Sequence, residues 1–246
     1  MSDDDYSNEE EEDKAPINIK QYDWSSAPDN LAMVVIASRR SGKSVLVRDL
    51  LWRYFIKEKK FKNIFIVSPT MHNSDYAFID KKYKYTEFDA DFVQKIFDHQ
   101  TQLIKNDPEG DHKCLLILDD ILKSCDSATK DLLSRIFCIG RHYSLNIVLV
   151  SQSFKFEITP IIKFNADVIA IFKTKNFNNK IEIQEQWLGF SNKDQRKAGM
   201  DLIDTIAKGY RMMIIDQSKS SDKIEEFVFH YEVDIEKSVP KDYYFY

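Results

Sequence analysis

A glycine, a lysine and a serine stand together at Gly42-Lys43-Ser44, between two apolar segments. Residues 31–36 are all apolar and predict a buried parallel strand, whereas residues 45–55 contain neither glycine nor proline and predict a helix. A helix N-terminus presents free backbone N–H groups and the positive end of the helix dipole, which attract phosphate. The pattern therefore predicts a phosphate-binding loop in which Lys43 contacts the outer phosphates and the Ser44 hydroxyl binds Mg²⁺.

The first position of this loop departs from the usual pattern, because Ala37 stands where a glycine is expected. Alanine is the smallest replacement for glycine, so we expect the loop to keep its shape. The alternative interpretation is a chance Gly-Lys-Ser at the start of an ordinary helix. The predicted nucleotide-binding loop comprises Ala37, Ser38, Arg39, Arg40, Ser41, Gly42, Lys43 and Ser44.

Two carboxylates, Asp119 and Asp120, follow the unbroken apolar run at residues 114–118. Such a run predicts a central strand of a parallel sheet, and ligands of open α/β sheets bind at the carboxyl ends of the strands. Together with the phosphate-binding loop, this position predicts Asp119 as a Mg²⁺ ligand and Asp120 as the general base for an attacking water. The alternative is that both residues only cap a following helix.

A third polar group at a predicted strand end is Gln152, which follows the strand predicted at residues 145–150. Its amide both donates and accepts hydrogen bonds, which suits the orientation of a water beside the γ-phosphate. The alternative is an ordinary polar strand end. Residues 63–68 and 166–172 supply two further predicted core strands. The remaining predicted strands are an edge strand at residues 17–20 and a closing pair, as in a hairpin, at residues 210–216 and 226–231.

The order of these motifs predicts an α/β fold, with a mostly parallel central sheet and helices on both faces. Loop, double carboxylate and glutamine, in that order, are typical of a P-loop NTPase with an additional strand between the loop strand and the carboxylate strand. A guanine site would require Asn-Lys-x-Asp, and the nearest string, Asn192-Lys193-Asp194-Gln195, lies at a predicted helix start. ATP and Mg²⁺ are therefore the predicted ligands.

Charge is unevenly distributed along the 246 residues. The net charge is −5, but residues 1–13 hold eight acidic side chains and no basic one, which leaves +3 for the rest. We therefore expect a disordered acidic tail over residues 1–14, which solvates the chain, binds a partner or mimics DNA, and one P-loop ATPase domain over residues 15–246. Neither a membrane span nor a signal peptide is predicted. Three cysteines without a CxxC pair favour a reducing, intracellular setting.

The segment from Gly140-Arg141 through the next strand to Gln152 resembles the arginine–strand–glutamine block of the FtsK–HerA superfamily of DNA-pumping ATPases. With residues 39–44, Ser68-Pro69-Thr70 and Asp119-Asp120, the chain is most similar to the poxvirus-type genome-packaging ATPases of large DNA viruses. The resemblance covers about residues 30–175. It has two departures, Ala37 for glycine and Asp120 for the usual glutamate, and the second leaves the base one methylene shorter.

The resemblance implies a RecA-like core in a homo-oligomeric, hexameric ring that threads double-stranded DNA into a capsid by hydrolysing ATP. The implied protein partner is a capsid or portal vertex protein. The implied locations are the host-cell cytoplasm, at a viral factory, and also the virion. Arg141 is the implied arginine finger, which reaches the nucleotide of a neighbouring subunit, with Arg135 and Arg211 as substitutes. The alternative is that Arg141 only satisfies carbonyl groups at a helix C-terminus.

The residues that contact DNA have no specific sequence motif, because a translocase holds phosphates without reading bases. A basic loop over residues 173–180 offers Lys173, Lys175 and Lys180. Two other classes of function stay open at this point. One is a small-molecule phosphotransferase, such as a nucleoside or nucleotide kinase, and the other is an interaction module that binds nucleotide without turnover.

Overall fold

The computed structural model describes residues 18–58, 60–69, 71, 76, 78–121, 126–152, 158–190 and 192–236. The predicted acidic tail, residues 1–14, lies outside the described residues.

One sheet organises the described chain, and its strands form where the sequence is apolar and rich in β-branched residues. The strands are β1 (Ala32–Ile36), β2 (Asn63–Val67), β3 (Lys84–Tyr85), β4 (Cys114–Asp119), β5 (Leu145–Ser151), β6 (Val168–Ile171), β7 (Met212–Asp216) and β8 (Val228–Tyr231). The helices are α1 (Lys43–Leu50), α2 (Ala90–Asn106), α3 (Ser127–Ile139), α4 (Pro160–Asn165), α5 (Phe177–Ile183), α6 (Lys193–Ile206) and α7 (Ile224–Phe227). Leu51–Ile56 and Gln184–Leu188 extend α1 and α5 as π-helical turns.

The strand order is β3-β2-β4-β5-β1-β6-β7-β8. All neighbours from β3 to β6 pair in parallel, and β7 is antiparallel to both β6 and β8. The predicted additional strand is β5, which lies between the loop strand β1 and the carboxylate strand β4. Because β1, β4 and β5 run in parallel, the residues that follow them meet at one edge of the sheet, which we call the carboxyl edge. The opposite edge, where these strands begin, is the amino edge.

Alternating side chains of β1 enter two separate apolar layers, so the sheet is covered on both faces. Val34 and Ile36 pack with apolar side chains of α2, α3 and α6, whereas Met33 and Val35 pack with those of α1. The predicted mostly parallel sheet with helices on both faces is confirmed.

The structure corrects three local predictions. The predicted basic loop over residues 173–180 ends at Asn176, because α5 begins at Phe177 with the Asn176 side chain as its cap. An edge strand expected near residues 17–20 is not formed in the described part, where Gln21 makes a single parallel bridge to His230. The antiparallel pair at the chain's end is confirmed, but a short helix, Ile224–Phe227, stands where its last strand was expected to begin.

Candidate functional site

The N-terminus of α1 lacks the side-chain cap that most of the later helices have. Helices α2 to α6 each begin with a side chain that accepts a hydrogen bond from a backbone N–H of the first turn, whereas α1 begins at Gly42, which has none. Gly42 adopts φ 101°, a conformation that disfavours any residue with a Cβ. Arg40 also has a positive φ, 60°, so the loop turns sharply before the helix. The first N–H groups of α1 are therefore available to an anion.

Ala37 occupies its position without the conformation that would require glycine. It is 1% exposed, its N–H donates to the Ser151 carbonyl at 3.0 Å, and its φ is not among the positive values of the described residues. A methyl group is therefore accommodated in the apolar layer beside α1. The departure from the usual glycine does not distort the start of the loop.

Lys43 lies between the two predicted carboxylates. Its Nζ is 3.0 Å from Asp119 Oδ1 and also forms an ion pair with Asp120 Oδ2. These three side chains are nearly buried, so the ammonium compensates charge where water screens it little. The structure brings together the loop lysine and the double carboxylate that the sequence separates by more than 70 positions.

Asp119 ends β4 and is 4% exposed. Its Oδ2 accepts a hydrogen bond from the Ser68 hydroxyl at 3.1 Å, at the end of β2. Burial raises the pKa of the Asp119 carboxyl, while the Lys43 ammonium and the Ser68 hydrogen bond oppose that rise. No contact with Asp119 was predicted for Ser68, although its position directly after a core strand indicates a place near the other strand ends.

Asp120 adopts a left-handed backbone conformation with φ 57°. Its N–H donates to the Val150 carbonyl at 3.1 Å, and its Oδ2 accepts a hydrogen bond from Gln152 Nε2 at 2.8 Å. Aspartate is one of the few non-glycine residues that adopt this conformation readily. The backbone therefore gives a physical reason for the shorter carboxylate at this position, and β5 supplies the amide that fixes it.

The groups around the loop have the chemistry that a triphosphate and Mg²⁺ require. Ser41 Oγ is buried and without a hydrogen-bond partner in the described structure, so a donor hydroxyl faces the loop unused. Mg²⁺ prefers a few protein oxygens plus phosphate oxygens. The Ser44 hydroxyl, in the first turn of α1, and the Asp119 carboxylate are the oxygens predicted for it, and both stay predictions.

Arg141 lies away from this cluster. It belongs to a 3₁₀ turn, Gly140–Tyr143, that precedes β5, so it stands at the amino edge while Lys43 stands at the carboxyl edge. Its side chain is exposed, and its charge partly opposes the rise that burial causes in the pKa of Asp167, the carboxylate before β6. Of the two substitutes, Arg135 contacts Gln94 and the Phe97 ring, and Arg211 donates to carbonyl groups at the end of α6.

The predicted DNA lysines differ in their surroundings. Lys173 and Lys175 are exposed in the connection after β6, which lies at the carboxyl edge. Lys180 is on α5 and forms an ion pair with Asp204 of α6, so its charge is already compensated. Asn192 caps α6 in a reciprocal pair with Gln195, which confirms the helix start that was preferred to a guanine motif.

Several solved structures share this fold, and several viral proteins are similar to this chain in sequence. A DNA-packaging ATPase from Sulfolobus turreted icosahedral virus has a similar fold, with a TM-score of 0.56, 20% identity and coverage of 83% of this chain and 98% of that one. The pCW3 conjugation coupling protein TcpA, solved with ATPγS, has a TM-score of 0.57 and 13% identity over 93% and 73% of the two chains. At these identities the likeness concerns the fold, which is that of P-loop ATPases.

An uncharacterized protein of Acanthamoeba polyphaga mimivirus is 28% identical over 221 residues, which are 86% of this chain and 75% of that protein. No helix in the described part of the chain is long and apolar enough to cross a bilayer. The family model described as Poxvirus A32 protein matches residues 20–239, nearly the whole chain. The resemblance read from the motifs is confirmed at this level, and the chain belongs to the Poxvirus A32 protein family.

Proposed function

We propose that this chain is an ATP-hydrolysing translocase of double-stranded DNA that packages a viral genome into its capsid. The observation that carries the proposal is the cluster of Lys43, Asp119, Asp120 and Gln152 at an uncapped helix N-terminus. Membership of the Poxvirus A32 protein family and the fold shared with a DNA-packaging ATPase support the link to packaging.

In the proposed reaction the loop N–H groups and Lys43 hold the β- and γ-phosphates of ATP. Bound Mg²⁺, held by Ser44 and Asp119, would neutralise charge on the phosphate oxygens. A γ-phosphate oxygen competes with Asp120 for the Lys43 ammonium, which leaves the Asp120 carboxylate available as a base. Asp120 takes a proton from the water that attacks the γ-phosphorus, as the bond to the ADP oxygen breaks. Gln152 orients the carboxylate through its amide.

The remaining parts of the proposal concern partners. The active form is a hexameric ring in which Arg141 of one subunit completes the site of the next, and the ring acts on DNA at a capsid or portal vertex. Lys173 and Lys175, exposed at the carboxyl edge, are the DNA-contact candidates that remain after the pairing of Lys180 with Asp204. The proposed location is the host-cell cytoplasm at the viral factory, with the virion as a second site.

The test is the ATP hydrolysis rate of the purified chain, with and without double-stranded DNA, for wild type and Asp120→Asn. We expect DNA to stimulate the wild type and the loss of the base to lower the rate about 10²- to 10⁴-fold. Asp98→Asn, an exposed carboxylate on α2, is the matched control and keeps the wild-type rate. In infected cells, virus carrying Lys43→Ala should leave its capsids empty, whereas Lys95→Ala should not.

Three results would contradict the proposal. A wild-type rate that ignores DNA, together with filled capsids in Lys43→Ala virus, would exclude a packaging motor. A phosphorylated small-molecule product would point to a phosphotransferase. ATP binding without turnover, alone and on DNA, would point to a non-catalytic interaction module.

A further inference from the structure

A cavity of about 330 Å³ opens beside the phosphate-binding loop. Its walls come from Gly42 and Val45 of the loop and α1, from Phe172 and Tyr210 near β6 and β7, and from the segment after β8. In the strand order, β6, β7 and β8 lie on one side of β1, and β5 and β4 with the carboxylates lie on the other. The cavity and the Asp119–Asp120 cluster therefore flank the same loop from opposite sides.

Exposed apolar side chains concentrate around this cavity. Val45 is 40% exposed, Tyr210 is 67% exposed and Ile235 is 73% exposed, and all three line it. The other exposed large apolar side chains of the described surface, Ile161, Phe164 and Phe177, do not line it. Contiguous exposed apolar groups beside a polar site are typical of a ligand-binding surface.

Two aromatic rings approach the loop itself. A Cβ built on Gly42 would lie 3.4 Å from Tyr210 Cδ1 and 3.6 Å from Phe172 Cε1. Phe172 is held in the core, whereas Tyr210 presents most of its ring to the cavity. A planar group bound in the cavity would therefore contact aromatic surface directly next to the phosphate site.

We propose that this cavity receives the purine base of the nucleotide and that Tyr210 stacks on it. The inference rests on the proposed function, because it concerns the same nucleotide. The Lys43 ammonium lies beside the carboxylates on the β5 side of the loop, so outer phosphates that it binds would lie on that side. The inner phosphate and the nucleoside then extend toward the other side, where the cavity lies. Stacking of a base on an aromatic side chain is a common source of nucleotide affinity.

Glu232 is the charged residue among those that line the cavity. Its carboxylate accepts hydrogen bonds and cannot donate them, so it favours the 6-amino group of adenine over a keto oxygen at that position. ATP should therefore bind more tightly than inosine triphosphate, and Glu232→Ala should reduce the difference. Equal affinities for the two nucleotides in the wild type would remove Glu232 from the recognition of the base.

The test compares a nucleotide with its phosphate part alone. Calorimetric titration of the full chain, with Mg²⁺, would measure the Kd of β,γ-methylene ATP and of inorganic tripolyphosphate. Tyr210→Ala should weaken the nucleotide about 5- to 100-fold, and leave tripolyphosphate unchanged. Tyr210→Phe should retain affinity, because stacking needs the ring and not the hydroxyl. Phe177→Ala, which removes a ring of similar exposure (62%) outside the cavity, is the matched control.

Each other result overturns the inference in an identifiable way. If Tyr210→Ala weakens both ligands equally, the ring only supports Gly42, and the nucleotide proposal stands without it. If it weakens neither but lowers self-association, the cavity belongs to a second copy of the chain. If the wild type binds neither ligand, the proposed ATPase function fails together with its base site.

Discussion

The two edges of the central sheet both carry charged side chains, but these side chains have different partners at the two edges. At the carboxyl edge, Lys43 forms ion pairs with both Asp119 and Asp120, and Gln152 donates a hydrogen bond to Asp120. At the amino edge, Arg141 is exposed and separated from them by the length of β5, about 20 Å at the usual rise per residue. The first group lies within one chain, whereas the finger role proposed for Arg141 requires a nucleotide held by another chain.

The same contrast holds for two carboxylates, the buried Asp119 at the carboxyl edge and the half-buried Asp167 at the amino edge. Burial raises the pKa of both Asp119 and Asp167. The Lys43 ammonium is the main group that opposes the rise in the pKa of Asp119. For Asp167 the main opposing group is the Ala32 backbone N–H, which donates a hydrogen bond to its carboxylate at 2.8 Å. A side-chain cation can move to a phosphate, but a strand N–H cannot. Asp119 can therefore lose its partner when a phosphate binds, whereas Asp167 keeps a fixed partner in the backbone of the sheet.

The largest effect is expected at the amino edge, from Arg141→Ala. If Arg141 is a finger for the neighbouring subunit, its loss removes transition-state stabilisation and lowers kcat about 10³- to 10⁵-fold, while nucleotide affinity stays near wild type. The measurement is steady-state ATP hydrolysis on DNA beside equilibrium nucleotide binding. Arg196→Ala, which removes an exposed arginine paired with Glu185, is the control and keeps the wild-type kcat.

Mixing two inactive variants tests whether Arg141 acts across the interface between two subunits. In a ring that contains both Arg141→Ala and Lys43→Ala subunits, some sites combine an intact Lys43 with an intact Arg141 from the neighbour. We expect partial recovery of hydrolysis that depends on the mixing ratio. No recovery at any ratio would contradict a role of Arg141 in the site of a neighbouring subunit. Arg141 would then have only a structural role at the amino edge.

A smaller effect is expected from two glutamines, Gln152 at the carboxyl edge and Gln217 at the amino edge. Gln152→Ala removes the amide that fixes Asp120, and a small displacement of a catalytic group lowers kcat about 10²-fold. Gln217 instead donates to the Lys163 and Ala166 carbonyls at 3.2 and 2.6 Å, before β6. Gln217→Ala should leave kcat unchanged and cost about 1 kcal/mol of unfolding free energy. Equal losses of kcat in both variants would erase the distinction between the edges.

The sequence predicted the parts of this site that depend on periodicity and strand ends. Residues 114–118 form a fully buried strand, so the position of Asp119 follows from the apolar run before it. The order of the parallel strands then places Gln152 beside Asp120, while its role in orienting a water stays a prediction. These features depend on local patterns and on general rules of α/β topology.

Other features depend on contacts between segments that no local pattern encodes. The bond from Ser68 to Asp119 exists because β2 and β4 are neighbours, and the left-handed conformation of Asp120 is fixed by pairing with β5. Lys180 looked like part of a basic loop until the cap at Asn176 placed it on a helix facing Asp204. The cavity beside Gly42 likewise arises from residues that are far apart in sequence, including Tyr210.

The smallest effect is expected in the stability of the fold, when Asp119 or Asp167 is replaced by asparagine. Because burial raises the pKa of Asp119 in the fold, the folded chain holds its proton more tightly than the unfolded chain does. Its contribution to stability therefore falls as pH rises from the ordinary aspartate pKa to the raised one, and stays low above it. Asp119→Asn removes this cost, since asparagine can still accept from Ser68 and Lys43.

We expect Asp119→Asn to raise the Tm at pH 7 by about 2–4 °C for each kcal/mol recovered, and to abolish Mg²⁺-dependent hydrolysis. Asp167→Asn should shift the Tm in the same direction, for the same reason, but keep hydrolysis intact. Thermal unfolding from pH 4 to pH 8 would measure both shifts, which should shrink toward the acid end. A lower Tm for Asp119→Asn at pH 7 would mean that attraction to Lys43 outweighs the cost of burial. In that case Asp119 would contribute to the stability of the fold as well as to the proposed chemistry.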